Sequence, residues 1–426
     1  MSKPRMIDKC MQARCYPWII WGLAAFAFFI EYFARVAPGV MIDSLMRDFH
    51  VEALALGSLS AFFYYAYVGM QIPVGILIDR FSLRWILTSM ILLCAAGCYL
   101  FSFSAEIQVA ALARLMMGFG AAFAFVSALK VASVWFPAQK FGLLAGLTQA
   151  IGMLGASIGQ LPMAYLVVHV GWRMTLFIIA SIIVILALTI AYLVRDRATT
   201  NNTRIEKNLL HSPWSGLVAV LKNPQSWWNA LYAGLLFAPT AALAELWGVK
   251  FFSQSHHLSN EVAATAVGLI FMGWAIGGPI TGWFSDRIKR RKIIMIFSAL
   301  ISFVLVTVVL TFSNLPLPLL FTLLFLYGIA NTGVATSYAV AAEINPHAIS
   351  GTSVAFANMA SVLIGAGFQP LIGWLLEKNW NGVRINGLPV YSTIDFQMAL
   401  VVLPICLILS VLVAFRIKET CCQQTP

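Results

Sequence analysis

Twelve apolar runs, each long enough to cross a bilayer as a helix, divide this 426-residue chain. They cover residues 17–42, 54–78, 85–104, 107–135, 141–168, 173–194, 227–252, 262–284, 293–312, 316–343, 349–376 and 396–415, and are numbered here as spans 1 to 12. A helix needs about 20 apolar residues to cross the hydrocarbon. Only helices and closed barrels satisfy every backbone polar group inside it. The runs are continuous rather than alternating, so helices are predicted. Composition agrees: 61% of residues are hydrophobic and 10% charged, whereas roughly a quarter of an ordinary soluble domain is charged. The expected fold class is an all-α membrane protein with twelve transmembrane helices.

The longest polar break, residues 195–226, separates six spans from six. This predicts an N-terminal six-helix bundle over 1–195, a central loop over 196–226 and a C-terminal six-helix bundle over 227–426. Part of the loop, around 209–221, has the composition of a helix lying in the membrane interface. The net charge is +11, but the basic residues sit in short loops between apolar runs, which argues for membrane orientation and against a nucleic-acid partner. Nineteen Lys and Arg fall on the side of the two termini, five on the other side (counting Arg173 and Lys250 at span ends), and three (Arg35, Arg114 and Lys130) deeper within spans. By the positive-inside rule both termini are expected in the cytoplasm. The basic N-terminus runs directly into span 1, unlike a cleaved signal peptide. None of the seven cysteines has metal-ligand spacing with histidine. No nucleophile–base set or phosphate-binding loop is present either, so neither an enzyme, a metal site nor a cofactor is expected.

The loop after span 2 reads GILIDRFSLRW and the loop after span 8 reads GWFSDRIKRRK. Gly75, Asp79, Arg80 and Arg84 in the first recur at a constant offset of 207 as Gly282, Asp286, Arg287 and Arg291 in the second. The segments FPAQKFG (136–142) and NPHAISG (345–351) fall at the equivalent loops after spans 4 and 10. Two six-helix copies in parallel, with a site between them near the midplane, are a transporter architecture. The doubled Gly-x-x-x-Asp-Arg loop resembles the signature loop of the major facilitator superfamily, and so does RLMMGFGAA in span 4, with Arg114, Gly118 and Gly120. Ser82 and Lys289 stand where the family often has a second Gly. The stretches EYFARVAPGVM and LSAFFYYAYVGMQIPVGILIDR look like the phagosomal nutrient transporter group of intracellular bacteria, importers of amino acids or nucleosides. The resemblance covers nearly the whole chain. It implies two pseudo-symmetric six-helix bundles, a bacterial inner-membrane location and no enzymatic activity.

The loop motif has an electrostatic reading. A carboxylate at the end of span 2 or span 8 can accept bonds from helix N-terminal amides or from an arginine. Asp79, Arg80, Arg84, Asp286, Arg287 and Arg291 are thus expected to form a gating latch joining the halves on the cytoplasmic side. Gly75 and Gly282 would permit close helix approach, and Glu343 would partner the second loop. The alternative for the basic run is lipid anchoring.

An ionised group at mid-membrane costs about 2.5–3.5 kcal/mol on insertion scales. Span 1 nevertheless carries Glu31 and Arg35, four residues apart on one helix face. The family resemblance implies that spans 1, 4, 7 and 10 line a central cavity. Those spans carry Glu31, Arg35, Arg114, Lys130, Glu245, Asn331, Ser337 and Tyr338. Gln149 and Asn358 add polar groups on spans 5 and 11. Arg35 or Arg114 would hold a carboxylate through two parallel bonds, and Glu31 or Glu245 an ammonium or a coupling proton. Competing readings make Glu31–Arg35 a self-neutralising pair and Arg114 a bond to backbone carbonyls. The aromatic stripe FFYYAY (62–67) reads mainly as packing, with Tyr65 the residue that reaches the cavity if any does. Pro38 and Gly39 are expected to loosen the outer end of span 1.

The expected function is proton-coupled uptake of a small polar nutrient, an amino acid first, by a monomeric secondary transporter whose partners are its substrate and the bilayer. Alternatives are a nucleoside or organic-anion importer, a proton-driven exporter and a non-transporting sensor. The Gly-Pro pair usual in span 5 of exporters is replaced by Gly155-Ala156, which argues against export.

Overall fold

The computed structural model describes residues 15–137, 140–196, 213–346, 349–385 and 388–423. Among these, eleven helices are long and apolar enough to cross a membrane, and they supply twelve spans. The longest, Phe141–Leu193, would run about 80 Å if straight, against a hydrocarbon layer of about 30 Å. It breaks at Gly171, whose φ of 81° and ψ of 160° suit only glycine, and provides spans 5 and 6.

Span 1 is the helix Tyr16–Phe49, longer than expected because Leu45, Met46 and Phe49 are also buried. His50, left-handed at φ 52°, ends it by returning its N–H to the Met46 and Arg47 carbonyls. The helix continues through Pro38 instead of ending there. Spans 2, 3 and 4 are Ala53–Arg80, Leu83–Phe103 and Ile107–Trp135. Spans 8, 9 and 11 are Asn260–Ile288, Arg291–Thr311 and Ser350–Asn379.

Three spans are irregular. Span 7 is α-helical over Pro224–Pro239, a π-helix over Thr240–Trp247, and α-helical again over Gly248–Ser255. Span 10 is Leu317–Asn331 and Gly333–Glu343, parted at Thr332. Span 12 is Thr393–Leu400 and Val402–Arg416. A two-residue hairpin, Arg384–Ile385 against Leu388–Pro389, precedes it and was not expected. The interfacial helix is Pro213–Lys222; the rest of the expected 209–221 stretch lies outside the described residues. Its Val220 packs with Ala230 and Phe356 of spans 7 and 11.

With twelve spans, both described ends lie on one face, called here the terminal face. The glycines show how the two halves meet. On span 2 near the opposite face, a Cβ at Gly57 would fall 2.5 Å from the Gln369 carbonyl oxygen of span 11. On span 11, a Cβ at Gly373 would fall 2.4 Å from the Ala53 carbonyl oxygen. Gly268 of span 8 is similarly tight against Ser157 of span 5, at 2.9 Å. Towards the terminal face, Gly69, Gly75, Gly146, Gly278, Gly282 and Gly351 have open space around them. The halves are therefore in backbone contact on the opposite face, and the glycines towards the terminal face meet no such contact. The expectation that Gly75 and Gly282 serve close helix approach is corrected: nothing lies within 4 Å of a Cβ at either.

Candidate functional site

Pro38 has no N–H, so the Ala34 carbonyl four residues earlier loses its helical partner. Arg114 of span 4 fills that vacancy: its Nη1 donates to the Ala34 oxygen at 2.7 Å. Its Nη2 donates to the Ser60 oxygen of span 2 at 3.2 Å and lies 3.5 Å from the Arg35 oxygen. The guanidinium also stacks over Phe63 at 4.7 Å and is fully buried. Arg114 thus ties spans 1, 2 and 4 together through carbonyls, the competing reading given for it above.

Arg35 has a different partner from the one its helix neighbour suggests. Its Nε lies 3.3 Å from Glu245 Oε1 of span 7, with both side chains at 3% exposure or less. Tyr64 of span 2 donates its hydroxyl to the other Glu245 oxygen. The Arg35 guanidinium sits over the rings of Tyr32, Tyr64 and Tyr67, at 5.0, 5.0 and 5.3 Å from their centroids. Such cation–π contacts hold a desolvated cation. The pair crosses between the halves. Gly39 lets span 1 approach span 7 closely enough for this, since a Cβ there would lie 3.1 Å from the Glu245 and Leu246 carbonyl oxygens. Gly39 therefore serves close contact between the halves. Lys250, the cation nearest Glu245 in sequence, pairs instead with Asp43 at 2.6 Å.

The π-segment sets Glu245. Its wider turns present carbonyls sideways, and two glutamines reach them. Gln369 of span 11 donates to the Ala241 oxygen at 2.9 Å, and Gln160 of span 5 to the Ala244 oxygen at 3.4 Å. The Trp247 indole N–H donates back to the Gln369 backbone carbonyl at 3.0 Å. The site's wall is thus built by both halves.

Glu31 points elsewhere. It is 3% exposed, and neither carboxylate oxygen has a hydrogen-bond partner among the described residues. It lines a void of about 10 Å³ with Ile30, Ile91, Cys94, Gly120 and Leu186, room for one water at most. This void lies inside the N-terminal bundle, among spans 1, 3, 4 and 6. Glu31 and Arg35 remain neighbours one turn apart, but the salt bridge of Arg35 is made to Glu245 and not to Glu31.

Asn331 is fully buried inside the C-terminal bundle. It donates to the Leu236 oxygen at 2.9 Å and accepts from Thr240 at 3.0 Å, so it braces span 10 to span 7. Half-buried Tyr338 donates to Asn358 Oδ1 at 3.0 Å, and Asn358 donates to Gln71 Oε1 of span 2 at 3.3 Å. This link joins the halves below Arg35. Gln149 is half-buried on span 5. Tyr65 is 41% exposed and does not line the site; its neighbour Tyr64 does. The unanticipated members are Tyr32, Tyr64, Tyr67, Gln71, Gln160 and Gln369. The glutamines carried the signal that singled out Gln149, a lone amide in an apolar helix.

The side chains of Asp79 and Arg80 lie outside those described. Arg84 stacks over Trp85 at 4.6 Å. The second loop is a closed cluster within the C-terminal half. Arg291 donates to Asp286 at 2.6 Å, to Ser285 at 2.9 Å and to Glu343 at 2.8 Å. Arg287 lies over Trp283 at 5.4 Å. Among the described side chains, the bonds of Asp286 and Arg291 stay within the C-terminal half. Both halves instead share a cap that was not foreseen. After span 6, Asp196 accepts from Ser82 and from the Arg84 N–H at the start of span 3. After span 12, Glu419 accepts from the Arg291 and Lys292 N–H groups at the start of span 9, at 2.8 and 3.0 Å.

A family model for the Major Facilitator Superfamily matches residues 24–370 and 246–420. The uncharacterized transporter YybO of Bacillus subtilis (strain 168) is 25% identical, over 82% of this chain and 84% of that one. A probable L-galactonate transporter of Escherichia coli (strain K12) is also 25% identical, over 89% and 84%. Among solved structures, a bacterial homologue of the human lysosomal transporter Spinster, in an inward-facing and occupied conformation, superposes with a TM-score of 0.77. It has 15% identity and covers 95% of this chain and 97% of that one.

Proposed function

The chain belongs to the Major Facilitator Superfamily, and on that premise we propose that it imports a small carboxylate-bearing nutrient, an amino acid first, by proton-coupled alternating access. It is a membrane transporter and not an enzyme. The terminal face is taken as the cytoplasmic side of a bacterial inner membrane, which makes the described state inward-open.

The observation that carries the reading is the buried Arg35–Glu245 pair, one member from each half. A zwitterion entering between them offers its carboxylate to the guanidinium and its ammonium to Glu245. Both buried charges then keep a counter-charge while the direct link between halves is broken. Binding energy is thereby applied to the conformational change, as differential affinity for two states requires. Amino acids are also cargo of the phagosomal nutrient transporter group that spans 1 and 2 resemble.

Glu31 is the group proposed for the coupling proton. An ionised carboxylate with no donor in an apolar void is costly, so occupancy of Glu31 by a proton is tied to how the N-terminal bundle is packed. A second reading has support from the L-galactonate transporter: a hydroxylated organic anion that takes Arg35 from Glu245 and uses Tyr64, Tyr67 and Asn358 for its hydroxyls.

The test is a thermal-shift screen of purified protein with amino acids, organic acids and nucleosides at two pH values. A ligand at about 100 times its dissociation constant adds roughly 2.7 kcal/mol of apparent stability. Stabilisation by a zwitterion, lost in both Arg35→Ala and Glu245→Ala, is expected. Stabilisation by hydroxylated monoanions that survives Glu245→Gln selects the second reading. Nucleosides alone would overturn both.

A further inference from the structure

The segment joining spans 11 and 12 belongs to the C-terminal half but finishes a helix of the N-terminal half. The first N–H groups of any helix lack intrahelical partners. Glu52, at the N-cap position of span 2, supplies no side-chain cap of its own. The partners come from across the interface. Glu377 Oε1, near the end of span 11, accepts the Leu54 N–H at 2.7 Å. The Tyr391 hydroxyl accepts the Ala53 N–H at 3.4 Å. Arg384, in the hairpin, pairs with Glu52. The hairpin is itself braced, because the Trp380 indole N–H reaches both the Val383 and Val390 oxygens, at 3.2 and 3.1 Å. Beneath it lies the tight Gly373–Ala53 contact.

We propose that the described residues 377–385 and 388–391 form a strap that holds the face opposite the termini closed, with Glu377 as its clasp. A carboxylate at a helix N-terminus complements the positive end of the helix dipole, and its bond to an amide is of the stronger, charge-assisted kind. Opening that face removes all three contacts together and leaves the first turn of span 2 uncapped. The strap therefore sets how readily the transporter leaves the described state, from a place distant from Arg35 and Glu245. Its consequence for transport rests on the alternating-access reading; the strap contacts do not.

The test begins with hydrogen–deuterium exchange on purified full-length protein, following a peptide that spans residues 52–58. In Glu377→Ala the amides of the first turn of span 2 should exchange at least about tenfold faster, the factor that goes with losing a hydrogen bond to a charged group. Glu377→Gln, which keeps a neutral acceptor, should fall between Ala and wild type. Arg384→Ala gives an independent arm with the same direction should Glu377→Ala not fold. Unchanged exchange in these variants overturns the strap. The second measurement joins Glu52→Cys to Arg384→Cys with a reducible bifunctional thiol reagent. Uptake of a ligand found in the thermal-shift screen should stop and return on reduction. Full uptake with the link in place also overturns the proposal. Loss of the amino-acid reading, by contrast, leaves the exchange result standing.

Discussion

Neutralising Glu245 while keeping its shape isolates the contribution of the pair between halves. In Glu245→Gln, Tyr64 keeps an acceptor, but Arg35 is left buried without a counter-charge. Removing one member of a buried ion pair typically costs about 3–5 kcal/mol. The three tyrosine rings around Arg35 remain and continue to hold the cation, which places the expected cost near the lower end, about 3 kcal/mol. The cost applies only where the site is closed to water. Once the opposite face opens, Arg35 is solvated and needs no partner. The equilibrium between the two states should therefore move towards opening of that face by a factor on the order of 100, at about 1.4 kcal/mol per decade. The assay is a distance distribution between spin labels at Val168→Cys and Ile394→Cys, in a background without the native cysteines. Val168 belongs to span 5 and Ile394 to span 12, and their exposures of 56% and 64% leave packing undisturbed. Wild type should give mainly the short distance, Glu245→Gln a grown long component, and Arg35→Met the same. The double variant, with no orphaned charge, should be less open than the two single effects combined. An unchanged distribution in Glu245→Gln, or a double variant more open than their sum, would refute the pairing argument.

Glu31→Gln should abolish uphill accumulation of substrate in vesicles while leaving counterflow of labelled substrate intact; loss of both would move Glu31 into the substrate site. Gly57→Ala puts a Cβ 2.5 Å from a backbone oxygen of span 11, so the same spin-label pair should report a face that no longer closes fully. Asp79→Asn should slow transport severalfold with normal membrane expression if the loop motif acts as a latch in the other state, and uptake at the wild-type rate would remove that role. Pro38→Ala restores an N–H to the Ala34 carbonyl that Arg114 serves, so Arg114→Leu should lower the melting temperature less in that background than in wild type.

The spans were legible because a bilayer demands apolar length, and length is written in the chain. Their interiors were less so. Helical spacing places Glu31 and Arg35 as neighbours, but it says nothing of which side of a bundle each one faces. The real partner of Arg35 lies in the other half of the chain, where no periodicity points. Glu245 stands out by its charge, but the π-segment hides its facing, since an α-helical wheel drawn through span 7 misplaces every residue beyond Thr240. Tyr64 and Tyr65 are indistinguishable by type, and only packing decides that the first is buried against Glu245 and the second faces outward. By contrast, Pro38 and Arg114 carried a readable relation: a proline frees a known carbonyl, and a buried arginine needs acceptors. The carboxylates Asp196 and Glu419 lay beyond the last apolar residue of each half, where attention to spans alone stops.

The π-segment of span 7 amounts to a stored rotation. One extra residue is wound into Thr240–Trp247 and is held there by amides from Gln160 and Gln369, one on each half. Returning that stretch to ordinary α-helical winding would turn one end of the helix against the other by one residue, about 100°. Glu245 would swing out of register with Arg35 without either half moving as a body. Because Gln160 and span 7 belong to different halves, separation of the halves on that face removes one of the two grips. Span 7 is in this sense a screw whose thread is clamped only while the gate above it is shut.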